Sequence, residues 1–379
     1  MLLIFPPNAD STLQIMAPGQ LPSNHVHDVW GGNGFTSPWD YTTATGSSCN
    51  TMGPKDDHSN YWFPALYHHS TDGQYRKIAS RMSAYYRFET SPNGPRKMFP
   101  PGFKIVTGNP FLRADESATN PASKAITWTC HGAAGGDKKK VAGFPADVTD
   151  CPGANGLTAE IWLPFCWDGI DAFDIADPSK HVKYGDAQVG GYGGTCPSSH
   201  PTPLPQILLE VHYDISPFAQ GQGQSANADL NPQEGNSQLQ SSPLLPRQSP
   251  SGERWVLSPG DPTGYGFHAD FVNGWAPGSL ERAIAPGDAD NVTERTNCYM
   301  PDTGEADNAI SRCFEMLDPG VMAGCKVARV TKEEVEGPMG ELLVGSGGGL
   351  ATRDGLNAER KVDRRKRRRF GRAHRSRKG

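Results

Sequence analysis

Three short runs set acid/base or metal-binding side chains two residues apart. Ile207-Leu208-Leu209-Glu210-Val211-His212-Tyr213-Asp214 alternates polar with apolar residues. In an extended strand Leu208, Glu210, His212 and Asp214 share one face, and Ile207, Leu209, Val211 and Tyr213 share the other. The carboxylate of Glu210 and the imidazole of His212 then stand about 7 Å apart, a spacing that suits proton transfer and metal ligation equally. His25-Val26-His27 places two imidazoles on one face of an extended segment, so that both can turn a ring nitrogen towards one ion. No third ligand is identifiable from spacing, and a hydrogen-bonded surface pair would read the same way. The third run, Asp261 to Asp270, is rich in turn formers. Turn chemistry accounts for its glycines and for Asp261, but not for His268 and Asp270, which are two apart and could face a substrate.

Cys166-Trp167-Asp168-Gly169 adds an acid beside an indole. Trp39, Trp62, Trp167 and Trp275 lie near Gly, Pro or Asp, in contexts where a ring could stack on a sugar; each reads equally well as core. Other chemistries are excluded. Gly31-Gly32-Asn33-Gly34 lacks the strand and helix that a dinucleotide or phosphate loop needs, and no nucleophile elbow is present.

The elements that must position these groups are strands. Period-two alternation recurs in Ser83–Glu89 and Leu157–Leu163, with further candidates at Tyr61–Tyr67, Phe103–Val106 and Arg254–Leu257. Helical signals are few: a capped turn over Ser279–Ile284, and Ile310, Cys313, Phe314 and Leu317 at helical spacing. The expected fold is mostly β, an antiparallel, jelly-roll-like sandwich with long loops and few short helices. Residues 18–330 read as a single β-rich domain. Within it, 218–252, dominated by Gln, Ser, Asn and Pro, reads as a disordered insertion. Residues 331–379 read as a Gly-rich, then basic, unfolded tail. Residues 1–17 read as a truncated or atypical N-terminus, because Met1–Pro7 has neither the basic start nor the long apolar stretch of a secretory signal.

The tail masks an acidic body. Of 36 Lys and Arg, 12 lie in residues 360–379 beside one acid, leaving 24 basic against 40 acidic residues elsewhere. Such a surface argues against nucleic-acid binding, which needs basic contacts to phosphate. No segment has the ~20 apolar residues required to span a bilayer as a helix. The 8 cysteines are widely spaced and form no close metal-binding pairs, which favours disulfides and an oxidising compartment. Asn291-Val292-Thr293, a glycosylation triplet, agrees with export.

Several motifs in order, Ser23-Asn24-His25-Val26-His27, Asp57-His58-Ser59-Asn60-Tyr61-Trp62, Pro101-Gly102-Phe103-Lys104, Cys166-Trp167-Asp168-Gly169, Cys196-Pro197-Ser198-Ser199-His200-Pro201, Glu210 and Gly264 to Asp270, resemble a secreted fungal family of unknown function. Its members occur alone or fused to WSC wall-binding modules. The resemblance runs from about residue 16 to about 298; it implies an extracellular location and supplies no activity. Departures include Ala269, where the family has glycine, and Lys183-Tyr184-Gly185 after His181, where it has Ala-Tyr-Pro.

Together these readings predict a polar cleft acting on a cell-wall or plant polysaccharide as a hydrolase or lyase. Glu210, Asp270, His268 and Asp168 are the candidate catalytic residues. Asp57, Trp62, Trp167, His200 and Tyr265 are the candidate substrate contacts. Paired carboxylates cleave glycosidic bonds when one protonates the leaving oxygen and the other activates water or attacks. Two alternatives stand beside this reading: a metal-dependent enzyme built on His25 and His27, and a non-catalytic wall or adhesion module.

Overall fold

Alternating runs become strands whose apolar halves meet. The computed structural model describes residues 9–11, 25–35, 40–88, 91–132, 140–145, 151, 156–174, 176–186, 193–215, 254–283, 315, 317–325, 339–340 and 342. The fold is mostly β, a sandwich with four antiparallel sheets and a few short helices. The first sheet runs in the order β1 (Ala9–Ser11), β2 (His27–Gly31), β3 (Asn60–Pro64), β15 (His268–Val272) and β7 (Lys104–Gly108). The second runs β6 (Ser80–Arg87), β13 (Gln206–Tyr213), β9 (Leu157–Trp162) and β8 (Ile126–Cys130). Two three-stranded sheets complete the set: β14 (Arg254–Leu257), β4 (Leu66–His69) and β5 (Tyr75–Lys77), then β11 (Val182–Lys183), β10 (Cys166–Trp167) and β12 (Thr202–Pro203).

The inner faces of the first two sheets build one core. Tyr61, Phe63, Phe271 and Ile105 enter it from the first sheet, and Ile207, Leu209, Val211 and Tyr213 from β13, with Leu157, Ala159 and Ile161 beside them on β9. The Phe63 and Tyr213 rings meet edge to face at 6.3 Å, and Trp128 meets Phe267 at 5.3 Å. The apolar half of the Ile207–Asp214 alternation is thus the core half. Tyr61–Tyr67, which reads as one strand, divides into β3 and β4 instead. Pro64 has no N–H to continue the ladder, and Ala65 donates to Val26 before Leu66 pairs with Leu257 in another sheet.

Among the described residues three disulfides pin the structure: Cys49–Cys325, Cys130–Cys151 and Cys166–Cys196. The first holds the C-terminal end of helix Pro319–Gly324. Cys298, Cys313, the sequon at Asn291 and the insertion 218–252 lie outside the described residues, as does most of the helix expected over 310–317, of which Glu315 and Leu317 are described and are not helical. The capped turn after Pro-Gly forms as helix Ser279–Ala283. Met339, within the tail expected to be unfolded, is instead buried. Its backbone N–H and C=O exchange hydrogen bonds with Tyr75, and its side chain packs with Val26, Ala65 and Tyr67, an apolar surface sufficient to hold the segment.

Candidate metal centre

The outer face of the first sheet, turned away from the core, carries the site. Val26 fixes its first part. Its side chain is buried with Tyr67 and Met339, and its carbonyl accepts the Ala65 N–H (3.1 Å) and the Ser258 hydroxyl (2.6 Å). Alternation about this anchored residue turns His25 and His27 to the other side. Strand β15 supplies the second part from between β3 and β7, sending Ala269 and Phe271 into the core and His268, Asp270 and Val272 outward. Opposite His268 stands Gly108, with φ 84°; a Cβ there would lie 2.6 Å from the His268 Cα. Glycine alone lets β7 run this close to the histidine.

Two chain segments more than 240 residues apart thereby place three imidazoles together. The His268 Nε2 lies 3.0 Å from His25 Nε2 and 3.3 Å from His27 Nε2. One nitrogen from each ring falls within 4.8 Å of the other two, and all three rings are buried. A tetrahedral ion bound at 2.0–2.1 Å would hold its ligand nitrogens about 3.3 Å apart, which the two spacings about His268 approach. Hydrogen bonding among the rings would require both neighbours to donate to one acceptor. The His268 Nδ1 lies 2.9 Å from the Gly266 carbonyl, which can only accept, so Nδ1 carries the proton. In the neutral ring Nε2 therefore has a single in-plane lone pair, yet two imidazole nitrogens converge on it. Burial pushes His268 down to about 4 and His25 well below the usual histidine range, with the guanidinium of Arg113 adding to both shifts. Both shifts favour the neutral ring in His25 and His268, the form in which imidazole binds metal.

Asp270 follows His268 on the same face and is the one carboxyl on that face of β2, β3, β7 and β15. Loss of water pushes it up to about 8, and the Trp62 side chain directly across the strand pair opposes that shift. Trp62 does not offer a platform for a sugar: it is 1% exposed, with Phe35 edge-on at 5.1 Å and Val29 and Val272 around it. Its ring is a wall of the site. Tyr265, half-buried, sits on the loop leading into His268.

The remaining sequence candidates do not join this group, so the single polar cleft expected from the sequence is replaced by separate locations. Glu210 is on the outer face of the second sheet, on the far side of the sandwich from Asp270, and the two cannot act as a carboxylate pair. Its Oε2 accepts the Tyr85 hydroxyl at 2.8 Å, and its Oε1 lies 3.8 Å from His212 Nε2. The His212 Nδ1 in turn meets the Thr158 hydroxyl at 2.8 Å. Asp57 lies on the core side. It accepts the Ser59 N–H and the Tyr61 hydroxyl, both at 3.0 Å, and Tyr61 continues to Tyr86 and Trp275. Trp167 lies on β10, and Asp168 and His200 lie on loops beside the β10–β12 sheet; His181, just before β11, meets the Lys104 carbonyl of the first sheet, about 13 Å along β7 from Gly108 by strand rise. There Asp168 closes a turn on the Ile170 N–H, Trp167 donates to the Asp171 carbonyl, and both His200 nitrogens are engaged, by Ser199 and the Lys180 carbonyl. These are structural roles. What the sequence lacked was the link between the two histidine runs; their equal two-residue spacing was the available signal.

The family model described as Domain of unknown function (DUF1996) matches residues 14–275, more than two thirds of the chain, and the chain belongs to that family. No curated protein and no solved structure matches it at a significant level.

Proposed function

We propose that this member of the Domain of unknown function (DUF1996) family is a metal-dependent protein in which His25, His27 and His268 hold one transition-metal ion. The observation that carries this reading is the convergence of two Nε2 atoms on the single lone pair of a third, at 3.0 and 3.3 Å. Three imidazoles would suit zinc or copper best. An ion held by these residues would supply hydrolytic chemistry by lowering the pKa of a water, and Asp270, two residues after His268 on the same face, is the carboxyl that would take part in proton exchange. This replaces the paired-carboxylate scheme, which the separation of Glu210 from Asp270 disfavours. Cell-wall or plant polysaccharide is the substrate class and the extracellular space the location, a reading that the three disulfides support.

Elemental analysis of purified protein tests the centre. The expected result is close to one ion per chain, with most of it lost in His27→Ala and His268→Ala. Substoichiometric metal that His27→Ala leaves unchanged would remove the proposal. The reaction is tested by a glycan screen with Asp270→Asn as control, where at least a hundredfold loss of product release is expected while the metal stays bound. Binding to insoluble polysaccharide with no product release would instead assign a wall-binding or adhesion role.

A further inference from the structure

The loop that precedes β15 is built around a buried carboxylate that touches none of the three imidazoles. Asp261 is fully buried. Its Oδ1 accepts the Thr263 N–H at 2.8 Å and the Thr263 hydroxyl, and its Oδ2 accepts the Gly266 N–H at 2.7 Å. The Gly266 carbonyl is the group that holds the His268 Nδ1 proton. The loop is anchored from outside as well: the Trp128 indole donates to the Gly264 carbonyl at 3.1 Å, and Phe144 N–H to that of Thr263 at 2.8 Å. Gly266 admits no side chain, because a Cβ there would lie 2.9 Å from Asp261 Oδ2 and 3.0 Å from both Arg113 Nη1 and the Pro110 carbonyl.

Arg113 completes the arrangement. Its Nη1 donates to the Pro110 and Leu112 carbonyls and its Nη2 to that of Pro259, which fixes the guanidinium beside the triad. A positive charge there opposes a bound cation. Asp261 Oδ1, 3.6 Å from Arg113 Nε, offsets it.

We propose that Asp261 is a positioning residue for the metal centre, acting through the Gly266 carbonyl to lock His268 as the Nδ1–H tautomer with Nε2 facing His25 and His27, and through Arg113 to neutralise the charge beside the ion. This rests on the metal reading above. Removal of an outer partner of a ligating histidine typically costs 10- to 100-fold in metal affinity. Asp261→Asn removes the charge and one of the two acceptor oxygens, and Gly266→Ala disturbs the geometry while leaving the charges in place.

Two readouts on the full-length protein separate the possibilities. Zinc affinity, by competition with a chromophoric chelator, is expected to weaken about 10- to 100-fold in Gly266→Ala and by more in Asp261→Asn. In metal-free protein, long-range nitrogen–proton NMR of 15N-histidine-labelled samples should show the His268 Nδ1–H tautomer in wild type and a mixture of tautomers in both variants. Unchanged affinity and tautomer in both variants, with zinc still lost in His27→Ala, would overturn the positioning role alone. Wild-type protein that holds no zinc through His27 would remove the metal reading, and the tautomer measurement would still decide the effect of Asp261 on His268. Where Asp261→Asn loses the strand amide spectrum, Gly266→Ala carries the comparison; collapse of both makes the loop purely structural and overturns the proposal.

Discussion

Asp57 illustrates how one buried carboxyl couples this protein to pH. Desolvation pushes it up to about 6, against the partial compensation of Ser59 and Tyr61. A carboxyl whose folded value exceeds its unfolded value of 3.8 favours the folded state most when protonated. Its contribution is therefore fully present below about pH 4 and is lost as pH rises through 6, a change of about 3 kcal/mol at 1.36 kcal/mol per unit. Urea unfolding at pH 4, 5, 6 and 7 should show Asp57→Asn free of that decline relative to wild type, and parallel curves for the two proteins would refute the assignment. The residue types were legible at this scale, and their environments were not. Asp57 and Asp270 both read as acids of one polar cleft, yet one lies in a hydroxyl network inside the sandwich and the other against Trp62 on its outside. Burial is decided by which strands pair, and pairing partners such as Trp62 and Asp270 lie far apart in sequence.

Strand β2 shows what an element adds. The alternation that turns His27 and Val29 outward turns Asp28 and Trp30 inward, so a charged side chain enters the region between the sheets. Asp28 is fully buried there, with Lys77 Nζ at 2.7 Å and the Ser80 hydroxyl also donating to it. The pair is a weak source of net stability, but breaking it leaves an uncompensated buried charge, which costs about 3–5 kcal/mol. Lys77→Ala should lose that much in chemical denaturation, and Lys77→Met combined with Asp28→Asn should recover a large part. A loss below 1 kcal/mol in the single variant would contradict this account. Elements themselves were readable in part: Arg254–Leu257 and the Ile207–Asp214 run appear within one residue of the expected bounds. Tyr61–Tyr67 was not, because its apolar run continues through Pro64 while its hydrogen-bonding partners change.

At the scale of the whole molecule, two strands of one sheet that lie far apart in the chain, β2 and β15, share a site, and a bound ion would join them. An ion that binds only the folded chain, at a free concentration a thousand times its Kd, stabilises it by about 4 kcal/mol. Thermal unfolding with and without a strong chelator should then differ by several degrees in wild type and by nothing in His27→Ala. Equal midpoints in wild type would show that the centre contributes no folding energy. The separation of 241 residues between His27 and His268 gives that ion a second meaning. Closing so long a loop in an unstructured chain costs about 5 kcal/mol of entropy, so the triad forms only after most of the intervening sheet is in place. Metal uptake by such a centre would then record completed folding: the fraction of chains loaded in a preparation would count the molecules in which His25 and His27 have met His268.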